Sequence, residues 1–196
     1  MVNDVLDVRP LRKPDKHPTI FAAYNALDHG ESFVLVNNHD PIHLREEFET
    51  EHPDSYDWAY LESGPREWRI RIRKLTSSPL PRLLCDTTRL TTSDSDATGA
   101  VWKLQMRERD LDSNIIRLPP AGTIDLHAGP DLDVLIHILT GTGQLTTEMG
   151  SIPLTAGSLL WLPRRSRRQF TAGPDGLTYL TVHQRRQALT LTSPPQ

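Results

Sequence analysis

The chain has 196 residues, 37% of them apolar and 24% charged, so it can bury a core and is neither disordered nor membrane-embedded. Its formal net charge of −3 argues against non-specific binding to nucleic acid. The single cysteine, Cys85, excludes an internal disulfide framework and a two-cysteine redox pair. The first ten residues contain no apolar stretch of the kind found in secretory signals. The sequence predicts a cytoplasmic protein that binds neither membrane nor nucleic acid.

The first 74 residues alternate strand and helix signals, and we predict a domain over 1–74 with the element order βαβαββ. This order is typical of an α+β two-layer sandwich with both helices on one face of the sheet. We expect Pro18 to begin the first helix and Gly30 to cap its end. The predicted elements are a strand near 5–8, a helix from 18, a strand at 32–37, a helix at 42–52, and strands at 56–62 and 67–73.

Residues 75–99 differ in composition from both flanks, since 15 of these 25 residues are Ser, Thr, Pro or Asp. Such a segment is typical of a linker. Residues 100–192 then carry short apolar runs about every ten residues, separated by Gly and Pro, and no helical pattern. We predict a second, all-β domain over 100–192, either a sandwich or a small barrel. The predicted strands lie near 101–106, 114–118, 123–126, 133–139, 144–149, 158–163, 168–172, 177–182 and 189–192.

Polar residues follow the first two predicted strands of the N-terminal domain. His17 comes after the first strand, and His39 and Asp40 come after the second. If these strands are parallel, both loops leave the carboxyl edge of the sheet, where open α/β sheets place their ligands. Imidazole and carboxylate groups suit a divalent transition metal such as zinc, iron or copper. The alternative is that Asp40 caps a helix while the histidines make local hydrogen bonds.

Arginines form two further candidate sites. Arg9 and Arg12 lie near the same sheet edge and are candidates for holding an anionic ligand. In the second domain the basic run 164–168 contains four arginines, and strand alternation places Arg168 on the face opposite Arg167. An inward Arg168 needs a partner, which Glu148, Asp133 or a bound carboxylate or phosphate would supply. The alternative is a solvated turn or an inter-domain salt bridge to the acidic first domain.

The first domain resembles an uncharacterised bacterial family, domain of unknown function 2249. The resemblance lies in LDVRPL, in KHPTIFAAYNALDHGESFVLVNNHDP and in YLESGPREWRIRI. It implies a TusA/SirA-like fold, whose sulfur carriers have a Cys-Pro before the first helix. Here Arg9-Pro10 stands at that place, so persulfide transfer through this position is not expected. The family's frequent association with redox, denitrification and iron proteins implies a redox, stress-linked or metal-linked role.

The second domain resembles a degenerate cupin. DVLIHILTGTGQL is similar to the end of the first cupin motif and IPLTAGSLLWLPRRSRRQF to the second. Where the motifs have a metal-binding Glu and a later His, this chain has Val134 and approximately Arg168. The candidate metal ligands that remain in this domain are His127, Asp133, His137 and His183.

These observations leave three functional hypotheses. The first is a two-domain binding or accessory protein whose ligand, a metal or small molecule, lies at the carboxyl edge of the N-terminal sheet. The second is a metal-dependent cupin enzyme, such as a dioxygenase or isomerase. The third is an interaction module that forms a homodimer through the cupin-like domain. The sequence leaves open whether the protein is an enzyme, and its candidate cofactor is a divalent transition metal.

Overall fold

The structure is a computed structural model that describes residues 4–90 and 98–185. The chain divides into two compact units, Met1–Leu83 and Leu84–Gln196. The domain limits of 1–74 and 100–192 and the linker at 75–99 stay predictions. The predicted strand at 189–192 and part of the predicted linker, 91–97, lie outside the described residues.

The N-terminal unit has the predicted element order βαβαββ. Its elements are β1 (Asp4–Asp7), α1 (Lys13–Asn25), β2 (Ser32–Asn37), α2 (Ile42–Glu51), β3 (Tyr56–Ser63) and β4 (Trp68–Lys74). The four strands form one sheet in the order β1-β2-β4-β3. β1 and β2 are parallel, and the other two pairs are antiparallel. The ends of β1 and β2 therefore lie at the same edge, as the site prediction requires.

Apolar side chains from both helices and from one sheet face form the core of this unit. Phe48 in α2 is fully buried, and its ring stacks on Phe21 of α1 with 4.6 Å between centroids. It also meets Tyr24 edge-on at 5.1 Å. The strands contribute alternate residues to the same cluster, because successive side chains in a strand point to opposite faces. They are Phe33, Leu35, Ile70 and Ile72.

α1 begins and ends differently from the sequence-based expectation, and α2, which begins at Ile42 as predicted, is not capped by Asp40. α1 begins at Lys13 rather than Pro18, so Pro18 lies inside it, and it ends at Asn25 with Ala26 as its C-cap. Gly30 is not that cap; it lies in the following turn at φ +84°, where its N–H donates to the Lys74 carbonyl. The N-cap of α2 is Pro41, and Asp40 makes no cap because its carboxylate accepts a hydrogen bond from another strand.

The C-terminal unit is rich in strands. Its elements are a single helical turn, α3 (Thr87–Leu90), and β5 (Gly99–Lys103), β6 (Leu111–Leu118), β7 (Thr123–Ala128), β8 (Val134–Thr147), β9 (Gly150–Thr155), β10 (Leu159–Leu162) and β11 (Arg167–Gln184). All seven strands belong to one antiparallel sheet. Within the described part of 100–192 there is no helix, in agreement with the periodicity. Of the helices in the described residues, none is both long and apolar enough to cross a lipid bilayer.

In two places the structure has one long strand where the sequence predicts two strands and a turn. β8 joins the runs at 133–139 and 144–149, and β11 joins those at 168–172 and 177–182. The expected turns at 141–143 and 173–176 are therefore wrong. The two strands pair with each other, and their register shifts between Ala172 and Leu177, so the glycines mark a bulge and a bend. β9 was not predicted.

Inward side chains of five strands form one apolar core around which the sheet folds. On β8 they alternate as Val134, Ile136 and Ile138, while Leu135 and His137 between them are exposed. β11 contributes Phe170 and Tyr179, whose rings stack at 5.2 Å. This enclosed core agrees with the expected sandwich or small barrel.

Candidate functional site

A cavity of about 430 Å³ lies at the carboxyl edge of the parallel β1–β2 pair. It adjoins the N-terminal ends of α1 and α2, neither of which has a side-chain cap. The residues that line it include His17, His39 and Asp40, as the topology predicts, and also Lys13, Lys16, Asn37 and His43. Because helix N-termini carry partial positive charge and most titratable groups here are basic, the cavity favours an anion.

A buried amide orients one of the lysines in the cavity. Asn37, the last residue of β2, is 4% exposed, and its Nδ2 donates to the His39 carbonyl at 3.1 Å. Its Oδ1 accepts a hydrogen bond from Lys16 Nζ at 3.4 Å. Lys16 stands three residues after the start of α1, so the second strand and the first helix together place its ammonium group.

Each histidine of the cavity lies within hydrogen-bonding distance of an acidic or amide side chain. His17 Nδ1 lies 2.7 Å from Glu47 Oε1 of α2, an arrangement that leaves Nε2 for a ligand. His39 Nδ1 lies 2.8 Å from Asn38 Oδ1, and the largely exposed His43 pairs with Glu46 at 3.1 Å. Each of the three imidazoles therefore has a different hydrogen-bonding partner.

Asp40 is engaged by the sheet. Its Oδ1 accepts a hydrogen bond of 2.9 Å from the hydroxyl of Tyr60 on β3. Burial raises the pKa of Tyr60, and the hydrogen bond to Asp40 raises it further. Within residues 4–90 and 98–185, no three His, Cys, Asp or Glu side chains are placed so that they could hold a metal ion. His17, His39 and Asp40 therefore line one cavity without forming a metal centre, and metal binding by them stays a prediction.

Arg9 and Arg12, the predicted anion ligands, do not line this cavity. Arg9 is bound by two carboxylates, Asp7 at 2.6 Å and Glu67 at 2.5 Å. The hydrogen bond with Arg9 holds the pKa of Asp7 below its usual value. Arg12 is largely exposed and pairs with Asp15 at 2.9 Å. The two lysines of α1 take the place that we expected these arginines to fill.

The sequence reasoning missed Lys13 and Lys16 because it began the helix at Pro18 and left these residues in a loop. Their spacing of three, before the apolar positions Ile20 and Phe21, was the available signal, since residues three apart share a helix face.

The basic run of the C-terminal unit divides into surface and interior residues. Arg164 lies 4.0 Å from Asp133, Arg165 2.7 Å from Asp131, and Arg167 3.9 Å from Glu148. These are exposed ion pairs with residues of the same unit. Arg168 points the other way and is 6% exposed. Arg168 is one of the residues that line a second cavity, of about 350 Å³. Asp133 and Glu148, its expected partners, are instead paired with its neighbours.

The weak metal candidates of this unit do not form a cluster. His137 lies on the exposed outer face of β8, and Asp133 accepts a hydrogen bond from the backbone of Arg164. His127 is the cross-strand neighbour of Arg168, but its exposed imidazole donates to the Asp125 carbonyl. His183 Nδ1 donates to the carbonyl of Gln184. This arrangement gives the metal-dependent enzyme hypothesis no support.

One protein family matches the N-terminal part of the chain. Residues 5–74 match the family described as "Uncharacterized conserved protein (DUF2249)", which confirms the N-terminal resemblance. No curated protein matches the chain.

Several solved structures to which the chain is similar are cupin domain proteins. The cupin-2 domain protein of Shewanella frigidimarina is 15% identical, with a TM-score of 0.42, over 52% of this chain and 95% of that one. A cupin 2 conserved barrel domain protein of Rhodopseudomonas palustris is 19% identical, with a TM-score of 0.40, over 43% of this chain and 59% of that one. The polyketide cyclase RemF of Streptomyces resistomycificus is 20% identical, with a TM-score of 0.37, over 40% of this chain and 56% of that one. The chain thus spans little more than half of the last two proteins. Two of these three structures are described as cupin proteins, the class that the sequence of the second domain resembles.

Proposed function

We propose that the protein is a binding or accessory protein whose N-terminal unit holds a small anionic ligand in the cavity at the carboxyl edge of its sheet. The observation that carries this proposal is the lining, in which Lys13, Lys16 and three histidines face a single carboxylate. That carboxylate, Asp40, already accepts the Tyr60 hydroxyl. A volume of about 430 Å³ is within the range of small-molecule sites.

The chemistry of the lining favours an oxyanion or a small carboxylate over a neutral ligand. The Lys16 ammonium and the imidazole Nε2 of His17 are suited to hydrogen bonds with anionic oxygens. Val8 and Ile20 give the cavity an apolar floor, which lowers the local dielectric and strengthens such contacts. A redox or stress-linked role remains what the family resemblance implies.

The proposal includes a TusA/SirA-like fold for the N-terminal unit without sulfur transfer. The element order and the parallel β1–β2 pair support this fold. Arg9 precedes Pro10 where those carriers have cysteine, and its guanidinium is bound by Asp7 and Glu67. Because persulfide chemistry needs a thiolate, this position cannot carry a persulfide. The proposal for this edge of the sheet is therefore ligand binding and not sulfur transfer.

Replacing Lys16 with alanine is expected to weaken the binding of an oxyanion by about tenfold or more, because a charge-assisted hydrogen bond is lost. The measurement is isothermal titration of the full chain with phosphate and, separately, sulfate. Lys103→Ala, which removes an exposed lysine from β5, is the control and should bind as the unaltered protein does.

A parallel titration with zinc tests the metal alternative. If zinc binds, and His17→Ala and His39→Ala remove that binding while phosphate and sulfate do not bind at all, the cavity is a metal site and the anion proposal is wrong.

A second function, self-association, is favoured by an apolar patch on the C-terminal unit. β10 forms the edge of the seven-stranded sheet, and its outer face carries Leu159 and Trp161, 65% and 64% exposed. Their cross-strand neighbours on β8 are His137 and Leu135, also exposed. An open edge strand with an apolar outer face suits antiparallel pairing with a second copy, so we propose a homodimer.

The dimer predicts a specific effect of charge on the patch. Leu159→Glu should convert the dimer to a monomer in analytical ultracentrifugation at micromolar concentration, because it buries a carboxylate in the interface. Leu111→Glu, at an exposed leucine of β6, should leave the dimer intact. Sedimentation of the unaltered chain as a monomer would remove this second function.

A further inference from the structure

We propose that the C-terminal unit contains a second binding site, for a monocarboxylate with an apolar chain, whose carboxylate is bound by Arg168. The site is the cavity of about 350 Å³ that lies between β8, β9, β10 and the start of β11. It is separate from the N-terminal anion site in its residues and its unit of the chain, and its ligand differs in carrying an apolar chain.

The first observation is a buried cation with unused hydrogen-bonding capacity. Arg168 is 6% exposed, and its Nη1 donates to Ser166 Oγ at 2.9 Å. Its Nε is buried and has no hydrogen-bond partner among the described residues. Burial also lowers the pKa of the guanidinium. A guanidinium has five N–H donors, and an interior position normally requires that they be paired.

The second observation is that the nearby carboxylates bind elsewhere. Glu148, which also lines the cavity, lies 3.9 Å from Arg167, and both side chains are more than half exposed. Asp133 is held by Arg164. The interior beside Arg168 is formed by apolar and aromatic side chains, including Leu145 and Leu162, together with Tyr179. A ligand carboxylate would therefore supply both the charge and the acceptors that the guanidinium lacks, in the bidentate geometry that the two groups favour.

The third observation is the apolar wall, which selects the rest of the ligand. Leu160, Ile152 and Trp161 line the cavity, as does Met149, which is 96% exposed at the hairpin between β8 and β9. An inorganic oxyanion would leave these surfaces in contact with water. A short aliphatic or aromatic acid would cover them while placing its charge at Arg168, and the volume is that of a small-molecule site.

The experiment compares octanoate with octanol on the full chain, because the two probes share a chain length and differ in the charged group. Trp161, one of the four tryptophans, lines the cavity, so the part of the fluorescence change that is lost in Trp161→Phe reports occupancy. Isothermal titration is the second readout. We expect octanoate to bind at least tenfold more tightly than octanol. Arg168→Met should abolish this difference by reducing octanoate affinity at least tenfold, with octanol affinity unchanged.

Two further variants make the assignment specific. Arg164→Met removes an exposed arginine from the loop that precedes β11. Arg164 does not line the cavity, so this variant should bind octanoate as the unaltered protein does. Gly129→Ala keeps Arg168 but places a methyl group where its guanidinium now lies, so it should also weaken octanoate binding. A melting temperature of Arg168→Met at or above that of the unaltered chain would show that the loss is not caused by unfolding.

Several results would overturn the proposal. They are no binding of octanoate at millimolar concentration, equal affinity for octanoate and octanol, or unchanged octanoate binding by both Arg168→Met and Gly129→Ala. The N-terminal site is tested independently, because Lys16→Ala should weaken phosphate binding without changing octanoate binding.

Discussion

Replacing Phe48 with alanine is expected to destabilise the N-terminal unit by about 3–5 kcal/mol, most of the stability of a domain of this size. The Phe48 ring is fully buried and contacts aromatic rings from α1 and β3, with Trp58 at 5.7 Å between centroids. The surrounding side chains come from both layers and cannot all collapse into the space that the ring leaves. The measurement is urea unfolding of the full chain, followed by the helical circular-dichroism signal, because α1 and α2 lie in this unit.

The control for this substitution is in the same helix. Ile42 begins α2 and is 54% exposed, so Ile42→Ala should change the free energy of unfolding by less than about 0.5 kcal/mol. If Phe48→Ala were as stable as Ile42→Ala, the two-layer packing described for this unit would be wrong.

Replacing Gly141 with alanine should destabilise the C-terminal unit by about 3 kcal/mol. Gly141 lies in β8 at φ +79°, a conformation that costs a residue with a side chain about 1–2 kcal/mol. A Cβ there would also overlap the carbonyl oxygen of Gly176 in the paired strand β11. Since backbone cannot move aside as a flexible side chain can, the two longest strands would separate at their bend. Thermal unfolding followed by strand circular dichroism measures the effect.

Gly157→Ala separates the two contributions to this loss. Gly157 has a similar φ of +88°, but a Cβ there would meet nothing within 4 Å. It should therefore cost only about 1–2 kcal/mol, the conformational part. Equal losses for the two variants would show that the close approach of Gly141 to Gly176 contributes nothing.

Much of the N-terminal fold could be predicted, because its strands and helices bury regular apolar patterns. β2 was predicted residue for residue at 32–37, and α2 ends one residue before its predicted limit. The start of α1 was not predicted, since proline is common in the first turn and Pro14 competes with Pro18 for that position. That error left the two lysines of the cavity outside the candidate site.

The C-terminal unit was harder to divide into strands. The glycines at 141, 143, 173 and 176 are typical of turns, and local sequence does not distinguish a turn from a bend within a long strand. The pairing of β8 with β11 decides between them, because the hydrogen bonds continue past the bulge. Strand alternation predicted that Arg168 and Arg167 lie on opposite faces, and the folded sheet decides that Arg168 is the buried one.

The sequence alone determined the two-part organisation, the element order of the first unit, the strand-rich nature of the second and the meeting of His17 with His39 and Asp40 at one edge. These properties follow from local periodicity and from the direction of parallel strands. Only the tertiary structure decided which partner each polar side chain has. It placed Glu67 beside Arg9 and Tyr60 beside Asp40, and it left Arg168 buried with its guanidinium bonded to Ser166. The Arg9–Glu67 and Asp40–Tyr60 contacts join residues 58 and 20 positions apart, so their geometry depends on how the packed elements align and not on the spacing of residues along the sequence.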